Sequence, residues 1–92
     1  MSGIAFTPTE TQMGNTLTTG QWEVGIDIAP GRYVATPATG ESGNLYVDGS
    51  GWMPKVNEIL GGSYGVPSVT VTLDQGDVID IMSVSSVTFA AA

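Results

Sequence analysis

Acidic side chains are the residues of this chain whose types and spacing come closest to a reactive site. Asp74, Asp77 and Asp80 recur at every third position around a turn over residues 74–77. Carboxylates grouped at a loop are the oxygen ligands that Ca²⁺ takes in proteins. The spacing, however, lacks the alternating D-x-D-x-D-G order that places oxygens around one ion. Asp74 and Asp77 suit the capping of backbone N–H groups, so we predict a capped turn and no metal site.

A second acidic set consists of Glu23, Asp27 and Glu58. Two carboxylates of this kind serve as acid and base in glycosidases. Those enzymes need a deep cleft lined by many residues, which a sheet of 92 residues rarely supplies. We therefore predict that these acids lie on solvated strand faces, and that the protein is not an enzyme.

The residue types missing from the sequence exclude several further functions. The chain has no histidine, so it lacks the commonest general base and metal ligand. It has no cysteine either, which excludes disulfides, thiolate nucleophiles and zinc–thiolate sites. We predict no catalytic residues and no cofactor.

The net charge of -7 bears on the choice of partner, because only Arg32 and Lys55 carry positive side chains. An acidic surface repels phosphate backbones and anionic lipids, so we expect neither nucleic acid nor membrane as a partner. The N-terminus lacks the basic region and apolar run of a signal peptide. We expect a protein made and kept in a cytoplasm, or a piece of a larger exported protein.

Four aromatic side chains are the best candidates for a binding surface. Trp22 and Tyr46 fall within predicted strands, and Trp22 is expected in the core. Trp52 and Tyr64 fall in predicted loops, where an aromatic ring either covers the core or serves as an exposed anchor. For Trp52 we favour the core lid, and we keep both rings as candidate partner-binding residues.

Short strands must position these residues. Apolar side chains alternate at Trp22, Val24, Ile26 and Ile28, which predicts a half-buried strand over residues 22–28. Pro30 and Gly31 then suit a tight turn, and residues 33–35 begin a second strand. The unit is therefore either a hairpin or a sharp strand corner.

Further strands are predicted over residues 44–48, 68–73, 78–82 and 83–89, separated by Gly-, Ser- and Pro-rich turns. Residues 55–60 fit a helical turn, a short strand or an irregular crossover. We predict an all-β domain over residues 21–92, a small β-sandwich or partly open barrel of about six to seven short antiparallel strands.

The first 20 residues differ in composition from the rest, being rich in threonine and poor in apolar residues. They form either a loose tail or an extended arm that orders against a neighbouring subunit. In the second case the partner-binding candidates are Ile4, Phe6, Met13 and Leu17.

Residues 24–33 read V-G-x-D-I-x-P-G-x-Y, and the chain continues with an aromatic strand and a V-T-V-T strand. This pattern resembles a small β-rich domain of secreted and cell-surface proteins in actinobacteria and other Gram-positive bacteria. The resemblance covers about three-quarters of the chain, from Gln21 to Phe89. Many of those relatives carry cysteines and a signal peptide or lipobox, which this chain lacks. The resemblance implies a fold and an accessory or binding role, and it assigns no functional residue.

These departures suggest a phage-borne copy that resembles capsid decoration (cement) proteins in size and plan. We expect a non-enzymatic structural or interaction module of a virion, made in the host cytoplasm. Its β-domain and N-terminal arm would dock on capsid or other virion subunits, as a homo-oligomer or an assembly component. The alternative is an extracellular or cell-surface domain of a Gram-positive protein that binds carbohydrate or protein through Trp52 and Tyr64.

Overall fold

The computed structural model describes residues 15–49, 51 and 53–92, and they form an all-β fold, as predicted. The six strands are β1 (Thr16–Glu23), β2 (Gly31–Pro37), β3 (Gly43–Asp48), β4 (Pro54–Leu60), β5 (Val69–Leu73) and β6 (Val78–Ala91). They pair in the order β4-β3-β6-β2-β5, and β1 also pairs with β6. All these pairs are antiparallel, and the sheet curls into a nearly closed barrel. Of the two predicted architectures, the partly open barrel is the one that forms.

Strand β6 is the centre of the sheet. Its residues 78–82 pair with β3, and its residues 87–91 pair with β2. Strand β1 pairs with both halves of β6. The two strands predicted over residues 78–82 and 83–89 are therefore one strand of 14 residues.

A bend between the halves of β6 explains why the sequence suggested two strands. Ser83 has a φ of 71°, and the register between β1 and β6 shifts at Thr19. Glu41 holds the bend from the side, because its carboxylate accepts hydrogen bonds from the Ser85 N–H at 2.7 Å and the Ser85 hydroxyl at 2.8 Å. Gly43 packs against the same bend, where a Cβ would lie 2.3 Å from the Met82 carbonyl oxygen.

The core lies inside the barrel and follows the predicted alternation in β3, β5 and β6. Its largest fully buried side chains are Phe89, Ile28, Leu45, Leu60, Leu73, Ile79, Ile81, Val24, Val47, Val84 and Val87. Trp22 is half-buried and packs against this core, and its indole N–H donates to the Thr18 carbonyl at 2.7 Å. Residues 54–60 form strand β4, which was one of three alternatives left open by the sequence.

Strand β1 ends at Glu23, so the prediction of a strand over residues 22–28 was wrong beyond that point. Asp27 turns the chain here: its carboxylate accepts from the Glu23 N–H at 2.8 Å, and its N–H donates to the Glu23 carbonyl at 2.9 Å. Ile26 lies in the turn and is 64% exposed, whereas Val24 and Ile28 on either side are buried. Local hydrogen bonding by aspartate competes with strand pairing, and here it prevails.

The hairpin alternative for residues 22–35 was also wrong. Strand β1 pairs with β6, and β2 pairs with β5 and β6, so the connection between β1 and β2 is a corner.

The predicted N-terminal arm overlaps the sheet. Residues 16–20 belong to β1, and Leu17 is a buried core residue. The rest of the arm, over residues 1–14, lies outside the described residues.

Candidate functional site

A charged cluster of Lys55, Asp74 and Asp77 lies at the gap between the two ends of the sheet. Lys55 belongs to β4, whereas Asp74 directly follows β5 and Asp77 directly precedes β6. The Lys55 ammonium donates to the Asp74 carboxylate at 2.7 Å and also to the Asp77 carboxylate. The Asp77 side chain is 5% exposed, and that of Lys55 is 26% exposed. The cluster therefore joins β4 to the β5–β6 turn where backbone pairing between β4 and β5 is missing from the described sheet.

The turn over residues 74–77 is capped as the sequence predicted for Asp77. Its carboxylate accepts from the Asp74 N–H at 2.9 Å, and its own N–H donates to the Asp74 carbonyl at 3.0 Å. The Asp74 carboxylate instead bonds Lys55, which the sequence did not indicate. Asp80 points away from this turn and accepts from Gln21 at 3.3 Å. Among residues 15–49, 51 and 53–92, no group of three His, Cys, Asp or Glu side chains is arranged to hold a metal ion.

The cluster shifts the proton affinity of Lys55. Partial burial on its own lowers the pKa of the Lys55 ammonium, but the hydrogen bonds and negative charges of Asp74 and Asp77 outweigh this effect. The net result is a pKa above the ordinary value for lysine. Lys55 thus stays charged and bonded at neutral pH. This suits a structural salt bridge, called the tie below, and opposes a role as a base.

The acids Glu23, Asp27 and Glu58 are not brought together. Glu23 and Asp27 border a surface hollow of about 230 Å³, together with Gln21, Trp22 and Val78. Glu58 lies on β4, which is separated from β1 by β3 and β6, and it is half-buried opposite the core residue Leu45 rather than on a solvated face as predicted. Of the two acids that border the hollow, Asp27 already uses its carboxylate in a local hydrogen bond from the Glu23 N–H.

The predicted partner-binding residues have three different locations. Ile4, Phe6, Met13 and Trp52 lie outside the described residues. Leu17 is 4% exposed within the domain's own core, so its side chain is already covered without a neighbouring subunit. Tyr64 is 96% exposed in the loop after β4.

Three further apolar side chains are exposed, one each on β4, on β6 and in the loop that contains Tyr64. Ile59 on β4 is 48% exposed and Met82 on β6 is 52% exposed. The register places both opposite Asn44 of β3, so the three share one row across the sheet. Val66 is joined to this row through the hydrogen bond from its N–H to the Ile59 carbonyl at 2.9 Å.

Ile59 and Met82 belong to one outer face, formed by β4, β3, β6 and the last half of β1. Across this outer face the three rows read Ile59, Asn44 and Met82; Asn57, Tyr46, Asp80 and Gln21; and Asp48, Val78 and Glu23. Residues of the alternate rows, such as Leu45, Leu60 and Ile81, face the core. The outer face thus has an apolar end and an acidic end.

The sequence contains a signal for Ile59 and Met82 that our prediction missed. Each is adjacent to another large apolar residue, Leu60 or Ile81. Because neighbours in a strand point to opposite faces, one member of each pair must face outward. A pair of consecutive apolar residues in a strand of a one-sided sheet therefore indicates an exposed apolar side chain.

No protein-family model matches the chain, and no curated protein or solved structure gives a significant match to it. The part of the chain that the structure describes has no helix with the length and apolar character needed to cross a membrane.

Proposed function

We propose that this protein is a non-enzymatic structural or interaction module that docks on a larger protein assembly. In its specific form, the proposal is an accessory protein of a phage virion, such as a capsid decoration protein, made in the host cytoplasm. The docking elements are the outer face of the β-domain and the segment before residue 15.

The observation that carries this proposal is the exposure of Tyr64, Ile59 and Met82. Large apolar and aromatic side chains are enriched at protein interfaces, where their burial supplies most of the binding free energy. The core is complete without these three residues, so packing of the domain does not explain their size. A partner that covers them does.

The rigidity of the scaffold also supports a docking role. Met82 is held on the central strand β6 and Ile59 on the end strand β4, and a salt bridge from Lys55 to Asp77 ties β4 to the β5–β6 turn. A surface fixed in this way loses little conformational entropy when it binds.

A second candidate function is ligand binding by a domain of a Gram-positive surface protein. The 96% exposure of Tyr64 favours it, because an exposed ring on a loop can stack on a sugar. The two functions differ in whether the sheet residue Met82 is needed together with Tyr64.

The test is retention of the full-length protein on its assembly. Particles of a phage that encodes the chain are purified by density gradient, and the protein is quantified in them by mass spectrometry. The wild type is expected at a fixed ratio to the major capsid protein, and Met82→Ser combined with Ile59→Ser is expected to lower this ratio strongly. Thr70→Ser, on β5 away from this surface, is the matched control.

Absence of the wild-type protein from purified particles would contradict the virion proposal. Binding of soluble oligosaccharides that is lost in Tyr64→Ala and unaffected by Met82→Ser would instead support the surface-protein alternative. Light scattering of the purified protein at several concentrations shows whether it forms a closed oligomer before docking.

A further inference from the structure

We infer that the outer face of β4, β3, β6 and β1 recognises a protein segment that is apolar on one side and rich in lysine or arginine on the other. The inference rests on the proposed docking function and names the chemistry of the partner. It depends on how apolar and acidic side chains are ordered across this face.

The apolar end can hold the apolar side of such a segment. Ile59 and Met82 lie one strand apart on either side of Asn44, so they are about 10 Å from each other across the sheet. Both are about half exposed and therefore have surface left to bury. Methionine adapts its shape to different partners, which suits a surface of this kind.

The acidic end provides the complementary charge. Asp80 is two residues from Met82 on the same side of β6, a distance of about 7 Å along the strand. Asp48 and Glu23 flank Val78 one row further on. Three carboxylates thus lie in the two rows that follow the apolar row along the strands.

The three rows of the outer face contain no positive side chain to neutralise these acids. The sequence contains only two, Arg32 and Lys55. Arg32 lies on β2, opposite Thr72 of β5, and β2 is not part of the outer face. The Lys55 ammonium is already bonded to the carboxylates of Asp74 and Asp77. A cationic partner therefore meets an uncompensated negative surface, and an acidic one is repelled.

The charge pattern also decides between a protein and a lipid bilayer as the partner. Apolar side chains on an outer surface can insert into a bilayer, but membrane-binding surfaces surround them with lysine and arginine. Here the neighbouring charges are Asp80 and Asp48. The pattern favours a protein.

Binding of synthetic peptides to the full-length protein tests the inference. The probe is a fluorescent amphipathic peptide of leucine and lysine, with leucine–glutamate and lysine–serine peptides as comparisons, followed by fluorescence anisotropy. We expect the leucine–lysine peptide to bind at least about tenfold more tightly than either comparison peptide. Ile59→Ser and Met82→Ser are each expected to weaken that binding about tenfold, as for central interface residues.

Charge variants separate a specific site from general attraction to an acidic protein. Asp80→Asn is expected to weaken peptide binding about threefold and to reduce its dependence on salt. Glu58→Gln makes the same change in net charge from the core-facing side of β4, and it is expected to have no comparable effect. Neither variant removes an apolar contact of the core, and circular dichroism checks the fold of each.

Equal effects of Asp80→Asn and Glu58→Gln, or peptide binding that is insensitive to Ile59→Ser and Met82→Ser, would overturn the inference. Ile59-dependent binding to phosphatidylcholine vesicles without peptide binding would overturn it in favour of a membrane. If the peptides fail to bind while wild-type protein remains on purified particles, this inference is wrong and the proposed docking function stands.

Discussion

Lys55 on β4 reaches across the open side of the sheet to the carboxylate of Asp77, which is buried beside the turn between β5 and β6. Asp77 also caps that turn through the Asp74 N–H. One carboxylate therefore serves two connections, one local and one that spans 22 residues of sequence.

Lys55→Met is expected to destabilise the domain, because it leaves the buried Asp77 carboxylate without its ammonium partner. Loss of one partner of a fully buried pair costs about 3–5 kcal/mol, but Lys55 is partly exposed, so we expect about 1–2 kcal/mol. For a domain of this size, that is a drop in Tm of roughly 4–16 °C. Lys55→Arg is the control that keeps the charge, and Lys55→Met with unchanged thermal and urea unfolding would show that the tie is dispensable.

The same tie is expected to weaken at alkaline pH. The folded-state pKa of Lys55 is raised, so its contribution is complete below the unfolded-state pKa of about 10.4 and is lost as pH rises through the folded-state value. The stability difference between wild type and Lys55→Met should therefore be constant from pH of about 7 to about 9 and shrink above about 10.5. A difference that grows with alkaline pH would contradict the direction of the pKa shift.

Glu41 is expected to stabilise the bend of β6 at neutral pH and to lose this effect in acid. Hydrogen bonds from the Ser85 backbone N–H and then the Ser85 hydroxyl hold the pKa of Glu41 below its usual value. Its contribution is therefore present above the unfolded-state pKa of about 4.3 and is lost as pH falls through the folded-state value. Glu41→Gln should be less stable than wild type at neutral pH and converge with it in acid. Ser85→Ala tests the hydroxyl contribution alone.

Gly43→Ala is expected to distort the junction of β3 and β6. The new Cβ would lie 2.3 Å from the Met82 carbonyl oxygen and 2.6 Å from the Val84 nitrogen, and backbone atoms cannot move aside as side chains do. We expect a loss of about 1–3 kcal/mol by urea unfolding. Gly49→Ala is the control, since its Cβ would meet the flexible Lys55 side chain at 3.0 Å. An equal loss in both variants would argue against a steric cause specific to the bend.

Removal of residues 2–13 is expected to abolish association with the assembly while the domain stays folded. This deletion keeps every described strand, whereas deletion of residues 1–20 also removes Leu17 and half of β1. Thermal unfolding should match that of the full chain, and binding to purified particles should be lost. Normal particle binding by the shortened protein would show that the arm has no docking role.

The strands with a clear alternation were predictable from sequence because their side chains are sorted by local pattern alone. In β3 and β5, Leu45, Val47, Val71 and Leu73 are buried where a period of two places them. The region after Glu23 has the same pattern and does not follow it, because the short side chain of Asp27 closes a turn on the Glu23 backbone. The alternation of apolar residues in the sequence does not reveal this competition between a local hydrogen bond and strand pairing.

The arrangement of the candidate site was less accessible to sequence reasoning because it depends on pairing between distant segments. Ile59 and Met82 share a row only through the registers of β3 with β4 and β6. Lys55 was not predicted to meet Asp77, since nothing in the sequence brings β4 to the β5–β6 turn. Tyr64 was placed in a loop from the sequence with its exposure left open, and the structure shows it 96% exposed.

The central position of β6 has a consequence for how the chain acquires its structure. Strands β1, β2 and β3 all pair with β6, so none of these ladders can close until the polypeptide has been synthesised through residues 78–91. The pairing of Thr16 with Thr88 joins segments 72 residues apart, and loops of that length must close before the contact stabilises anything. Folding is therefore expected to follow the synthesis of β6 and to take milliseconds to seconds. During that interval the apolar strands of the sheet remain accessible to chaperones.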